Sequence, residues 1–280
     1  MNYSIIQPPL HLAEFIRQLW FLEYSATTDI PFVHDAFAHH CCEIVFCYKG
    51  EFSIQVAGDR KNKLISGFYG QTKEISKITS ATSFGVLGLY LYPYALPQLF
   101  GIPANELTNH SIDLKTLCGQ EGEILEERIM LASGNKQRAQ ILFNFFEARL
   151  RNIRTELSVL CSSLKAISNH YTPMSVETLA SNNFLSVRQF ERRLKELSGF
   201  SPKQFLRLTR FNSLLNRPWQ DQVFAEIALD FGYYDESHFS HDFKKFSGIN
   251  PKDFFNPYTI KASDRGTAKL SQSDEKSSFQ

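Results

Sequence analysis

Two stretches decide the reading of this chain: Phe184–Phe205, FLSVRQFERRLKELSGFSPKQF, and Tyr233–Phe254, YYDESHFSHDFKKFSGINPKDF. From Ser186 and Asp235 onward they align at a constant offset, with Phe190 over Phe239, Leu194 over Phe243, Ser198-Gly199 over Ser247-Gly248, and Pro202-Lys203 over Pro251-Lys252. Self-similarity at a fixed spacing means that one structural unit is used twice. Two copies are too few for a solenoid. Two small helical units with polar faces suit a reader of two adjacent sites on one polymer.

Each copy carries its own start and stop signals. Ser186 reads as an N-cap, with Gln189 three residues on completing a capping box, and Asp235 caps the second copy. Phe190, Leu194 and Leu197 form an inward stripe at helical spacing, matched by Phe239, Phe243 and Phe246. Gly199 and Gly248 stop the helices, and Ser201-Pro202 and Asn250-Pro251 open the next ones. A short helix precedes each turn, through Val176, Leu179 and Ala180 in one copy and Ile227 and Ala228 in the other. This grammar predicts two helix-turn-helix units, at 176–197 and 225–247, whose outer helices suit the major groove of double-stranded DNA. Between Val187 and Arg210 seven basic residues face two acidic ones, a balance of +5. Between Phe231 and Lys252 three face three, a balance of zero. The first unit is therefore expected to supply most of the phosphate attraction. The second is expected to rely on hydrogen bonds and, below neutral pH, on charge gained by His238 and His241. Two helical hairpins with solvated outer faces are the competing reading, and the matched pair of copies weighs against it.

These residues resemble the C-terminal signature of AraC/XylS-type transcription regulators, over Leu157–Phe255. The resemblance implies a domain at 155–257 in which a long helix, Pro202 to about Asn216, joins the two units, and recognition helices that enter successive major grooves. The DNA-contacting set expected from the exposed faces and the matched positions is Ser186, Arg188, Gln189, Glu191, Arg192 and Lys195 in the first unit. In the second it is Glu236, Ser237, His238, Ser240, His241, Lys244 and Lys245. Arg can take guanine bidentately and Glu can accept from cytosine. Two positions depart from the family pattern: Phe184 stands where the first turn usually has Gly, and His241 where the second helix often has Arg.

The remainder of the 280 residues reads as a second domain at 1–152, so the fold class expected is α+β. A helical piece at His11–Leu22 is followed by strands at Glu43–Tyr48, Glu51–Val56, Lys63–Phe68 and Ser83–Tyr92, and by helices from Tyr94 to Leu150. Tyr92–Asn109 is similar to the cupin-like sensor domain of one AraC-type subgroup, which implies an effector-binding or dimerising module. An effector pocket is expected among Trp20, Phe37, Phe46 and Tyr90. His39-His40-Cys41-Cys42-Glu43 invites a metal reading, but strand alternation would put His39, Cys41 and Glu43 on one face and His40 and Cys42 on the other. The expectation is a strand with ordinary buried cysteines, no metal and no cofactor, and no catalytic group.

Charge and composition exclude little else. The net charge of +1 gives no global nucleic-acid signature, and five cysteines without ligand-pair spacing suit reduced thiols. No signal peptide or membrane span is legible, so a cytoplasmic location is expected, and residues 258–280 read as a disordered tail. Expected partners are double-stranded DNA, a small-molecule effector, and RNA polymerase if the protein activates, with the chain a monomer or homodimer and no membrane association. The competing function class is a cupin-type metal-binding protein or enzyme with a helical appendage.

Overall fold

The computed structural model describes residues 1–25, 31–56, 62–63, 66–151, 157–215 and 224–255. The expected tail at 258–280 and residues 152–156 between the two domains lie outside them. Two antiparallel sheets open the chain. The larger has the order β1 (Asn2–Ile6), β2 (Ile16–Tyr24), β9 (Phe84–Leu91), β4 (Cys42–Lys49), β7 (Gly67–Tyr69), β10 (Ser111–Asp113). The smaller has the order β3 (Phe32–Ala36), β8 (Ser76–Ser80), β5 (Ser53–Val56), β6 (Asn62–Lys63).

Residues 16–24 are a strand, where the sequence suggests a helix from His11 to Leu22. The apolar spacing of Leu12, Ile16 and Leu19 satisfies a helical period, but β2 is covered on both faces, and two-sided burial removes the polar alternation that would mark a strand. Leu19 and Phe21 enter the main core, and Trp20 and Leu22 turn toward the smaller sheet. Strand β4 splits in the same way. Ile44 and Phe46 pack toward the helices, while Val45 joins Phe52, Phe84 and Val86 between the sheets.

Helices α1 (Ala95–Phe100), α2 (Leu114–Cys118), α3 (Gln120–Leu131) and α4 (Asn135–Arg151) cover the outer face of the larger sheet. Arg138 of α4 fastens this layer. Its guanidinium donates to the carbonyls of Ile129 and Ala132 at the end of α3 and stacks 3.9 Å from the Tyr48 ring.

The rest is helical: α5 (Val159–Asn169), α6 (Val176–Asn182), α7 (Val187–Ser198), α8 (Pro202–Leu215), α9 (Phe224–Asp230), α10 (Glu236–Ser247) and α11 (Pro251–Phe255). Both expected caps are present. Ser186 and Gln189 make both arms of the capping box, the Asp235 carboxylate accepts from His238 N–H at 2.7 Å, and Gly199 and Gly248 take φ of 76° and 73°. Helix α8 is the spine. Its Phe205, Leu208, Phe211 and Leu214 are buried in one cluster with Phe190 and Leu194 of α7 and Phe239, Phe243 and Phe246 of α10. That apolar cluster continues without a break into the β-rich part. Phe37 stands edge-on to Phe211 and Phe254 at ring-centroid distances of 6.3 and 5.9 Å.

Candidate nucleic-acid interface

Helices α7 and α10 each present a polar face away from α8. Ser186, Arg188, Gln189, Glu191, Arg192 and Lys195 are all exposed, as are Glu236, Ser237, His238, His241, Lys244 and Lys245, with Ser240 half-buried. None of these thirteen side chains is buried in the core.

The two turns reach the same geometry at different cost. Gly232 takes φ 70° in the second turn, a conformation open to glycine without penalty. Phe184, one turn earlier in the repeat, takes φ 54° with its side chain 88 % exposed. The departure from Gly therefore leaves the turn in place and loads it with left-handed strain of about 1–2 kcal/mol.

The second recognition helix is fastened by a polar network that sequence reading did not anticipate. Asp242 of α10 is fully buried and takes a two-pronged grip from Arg207 of α8, with Arg207 Nε donating to Oδ2 at 3.1 Å. Arg210 Nη2 lies 3.7 Å from Oδ2 of the same carboxylate, and Arg210 Nη1 donates to the Gly232 carbonyl at 2.9 Å. Arg210 also stacks 3.9 Å over the Tyr233 ring. His238 and His241 lie within 4.0 Å of the Asp242 oxygens. Arg207 and Arg210 therefore join the spine to the second unit and direct their charge at Asp242, so the balance of +5 overstates the cations on the exposed surface of the first unit. The exposed balance there is Arg188, Arg192, Arg193, Lys195 and Lys203 against Glu191 and Glu196. The signal was present in the sequence: Asp242 is an acid beside the apolar stripe, and Arg207 and Arg210 share one face of α8.

The β-rich domain grips both recognition helices near their C-terminal ends. The Thr108 hydroxyl donates to the carbonyl of Gly199, the stop of α7, at 3.2 Å. Ala38 N–H donates to the carbonyl of Phe246 in α10 at 3.0 Å. A side chain at Gly199 would lie 1.7 Å from Gln71 Nε2, and one at Gly248 would lie 3.2 Å from Ile75 Cδ1. Asn212 of α8 donates to the Ala38 carbonyl at 2.9 Å and accepts from His40 N–H and from the His40 ring.

The four residues expected to line an effector pocket do not converge. Phe46 faces the helix-side core, and Phe37 is a domain-contact residue against Phe211 and Phe254. The alternation of β4 is the reason: it sends Phe46 and Glu43 to opposite faces. Trp20 and Tyr90 do come together, 6.4 Å apart on the inner side of the sheet, with Glu43 between the strands accepting from the Trp20 indole N–H at 2.6 Å. Burial pushes the Glu43 carboxyl up to about 8.

Residues 39–41 also differ from expectation. Strand β4 begins at Cys42 and a bend precedes it, so alternation does not separate these side chains. Among the described residues, His39, His40 and Cys41 bring one ligand atom each within 4.8 Å of the others. His34 sits on β3 outside this group. Burial, with the Arg17 guanidinium close by, lowers His39 to about 3 and His40 well below the usual imidazole range, and burial raises the Cys41 thiol to about 11.

Comparison with known proteins places both halves. Residues 179–256 match the helix-turn-helix domain family, and residues 4–113 match a domain of unknown function, DUF6597. The HTH-type transcriptional activator RhaS of Escherichia fergusonii is 31% identical over 91 residues, covering 31% of this chain and 32% of that protein. RhaS of Escherichia coli O1:K1 / APEC is 25% identical over 160 residues, 54% of this chain and 57% of that protein. The chain thus spans between a third and just over half the length of these curated relatives. Among solved structures, ToxT from Vibrio cholerae aligns over 84% of this chain and 97% of its own at 12% identity and TM-score 0.47. The DNA-binding domain of AdpA, the global transcriptional factor, in complex with a target DNA aligns over 35% of this chain and 90% of its own at 26% identity and TM-score 0.32. Among the described residues no helix is long and apolar enough to cross a membrane. By the family match, the curated relatives and the capped double unit, the C-terminal part of the chain is a helix-turn-helix domain of the AraC/XylS type.

Proposed function

We propose that the chain is a sequence-specific DNA-binding transcription regulator in which α7 and α10 enter successive major grooves of double-stranded DNA. The observation that carries this reading is the pair of capped helices on one spine, each with its polar face exposed and its apolar stripe buried. Arg188 and Arg192 are the base-reading cations of the first unit, with Glu191 as an acceptor. Ser237, Ser240 and His241 read more weakly in the second, beside Glu236. Ser186, Gln189, Lys195, His238, Lys244 and Lys245 approach the phosphates and fix register.

The β-rich domain, 1–152, is the modulating half, and the reading-head half is 155–257. Modulation travels through the grips on Gly199, Phe246 and Asn212. A cytoplasmic location and, for an activator, contact with RNA polymerase belong to the same reading, which assigns the chain no catalysis.

Selection of bound sequences from a random DNA pool by the full chain tests it. The expected result is an enriched site with two conserved blocks one helical turn apart. A pool that shows no enrichment over non-specific retention overturns the reading.

A further inference from the structure

The bend at 39–41 gathers three metal-type side chains that the function above does not use. The Oδ1 atom of Asn212 accepts from His40 N–H at 3.2 Å, and its Nδ2 donates to the Ala38 carbonyl at 2.9 Å. A backbone donor and a backbone acceptor thus fix which end of the amide is oxygen. The His40 Nδ1 atom lies 2.6 Å from that same oxygen. An amide oxygen only accepts, so Nδ1 carries the ring proton and Nε2 keeps the lone pair. Yet Nε2 is buried in a residue 1 % exposed, with no hydrogen-bond partner. An unpaired buried acceptor costs about 1–3 kcal/mol and calls for an explanation. A histidine whose other ring N–H is held by an oxygen acceptor is the arrangement found at metal ligands.

We propose that His39, His40 and Cys41 form a site for a monovalent thiophilic metal ion, Cu(I), positioned by Asn212 of the spine helix. The ligand set is two imidazoles and one sulfur, which suits copper or zinc, and ligation by the His39 ring gives up the bond that its Nδ1 accepts from Cys41 N–H at 3.1 Å. Structural zinc takes four ligands, and among the described residues no fourth His, Cys, Asp or Glu joins the group. Arg17 stands close to His39 and Cys41, so a neutral copper–thiolate unit is tolerated there better than a zinc unit with residual positive charge. Bonds of about 2.0–2.3 Å place ligand atoms roughly 3.5 Å apart, a closure of about 1 Å from the present spacing. The Cys41 thiol proton leaves to solvent as the metal–sulfur bond forms. His39, partly exposed at the edge of the group, gives the ion its way in. Because Asn212 lies between the two reading heads, occupancy of the site bears on the domain contact.

The test uses the purified full chain without oxygen, with Cu(I) offered in competition with bicinchoninate, and Zn(II) titrated in parallel. One equivalent of Cu(I) should be withheld from the chelator, and Cys41→Ser or His40→Ala should abolish that retention, while Cys118→Ser leaves it unchanged. Asn212→Ala should weaken it about 10–100-fold, and Asn212→Asp, which keeps an acceptor for the His40 ring, should restore most of it. X-ray absorption on the copper-loaded wild-type chain should show a nearest shell with both sulfur and imidazole nitrogen, a readout that needs no variant to fold. The proposal is overturned by absence of stoichiometric retention, by retention that survives Cys41→Ser, by a shell without sulfur, or by tighter binding of Zn(II). None of these readouts involves DNA, so failure here and failure of the regulator reading are separate results.

Discussion

The two reading units share a scaffold and differ in how they are held. Position by position, Ser186 corresponds to Asp235 as cap, Gly199 to Gly248 as stop, and Phe190 and Leu194 to Phe239 and Phe243 as core. The difference falls at Arg193, whose counterpart is Asp242. Arg193 is exposed on the first helix, while Asp242 is buried and clamped by Arg207 and Arg210 of the spine. The same step in the repeat thus adds a cation to the outer surface of one unit and an internal anion to the other. A second difference lies in the turns, where Phe184 bears left-handed strain that Gly232 does not. The first unit is therefore built for charge and the second for fixed geometry. Discounting the paired arginines and Asp242 narrows the charge contrast between them but keeps its sign.

The largest test of this comparison is Asp242→Ala. It leaves Arg207 and Arg210 facing each other without their anion and should lower unfolding stability by about 3 kcal/mol, read by urea denaturation. Arg193→Ala at the equivalent position should change it by less than about 0.5 kcal/mol. Equal losses at both positions would break the distinction.

Arg188→Ala or Arg192→Ala should each cost about 1–3 kcal/mol of specific DNA affinity in gel-shift titrations. Ser237→Ala or His241→Ala should cost about 0.5–1.5 kcal/mol. A larger loss from the second unit would reverse the assignment of the dominant reader. Phe184→Gly removes a side chain that is 88 % exposed and relieves the positive φ, so the protein should gain about 1 kcal/mol in thermal denaturation. A loss would mean that the exposed ring makes a contact that offsets the strain. The smallest effect is on salt dependence, where Lys195→Ala should reduce the slope of log affinity against log salt by about 1, and sequence preference should stay unchanged.

Much of the helical domain was legible because its signals are local. Ser186 with Gln189 makes a capping box from residues three apart, and a glycine, one apolar residue, a polar cap and a proline in succession stop one helix and start the next. The edges of the β-rich domain were less legible. Phe32–Ala36 and Ser76–Ser80 pair with each other in the smaller sheet, and neither segment carries an alternation strong enough to announce itself. His11–Leu22 reads as a helix by period, because both faces of the strand Ile16–Tyr24 that overlaps it are buried. The effector set failed for a related reason: Phe46 and Trp20 are both aromatic and central, but only the pleat decides which layer each one enters.

By itself, then, the amino-acid order determined the repeat, the caps, the stripe and the outward polar faces, because each depends on residues within one or two helical turns. Tertiary structure decided the pairing of Asp242 with Arg207 and Arg210, the grip of Thr108 on Gly199, and the meeting of His40 with Asn212 across 172 positions of chain. These contacts join groups whose partners are chosen by packing, and no local pattern records which buried donor will face which acceptor.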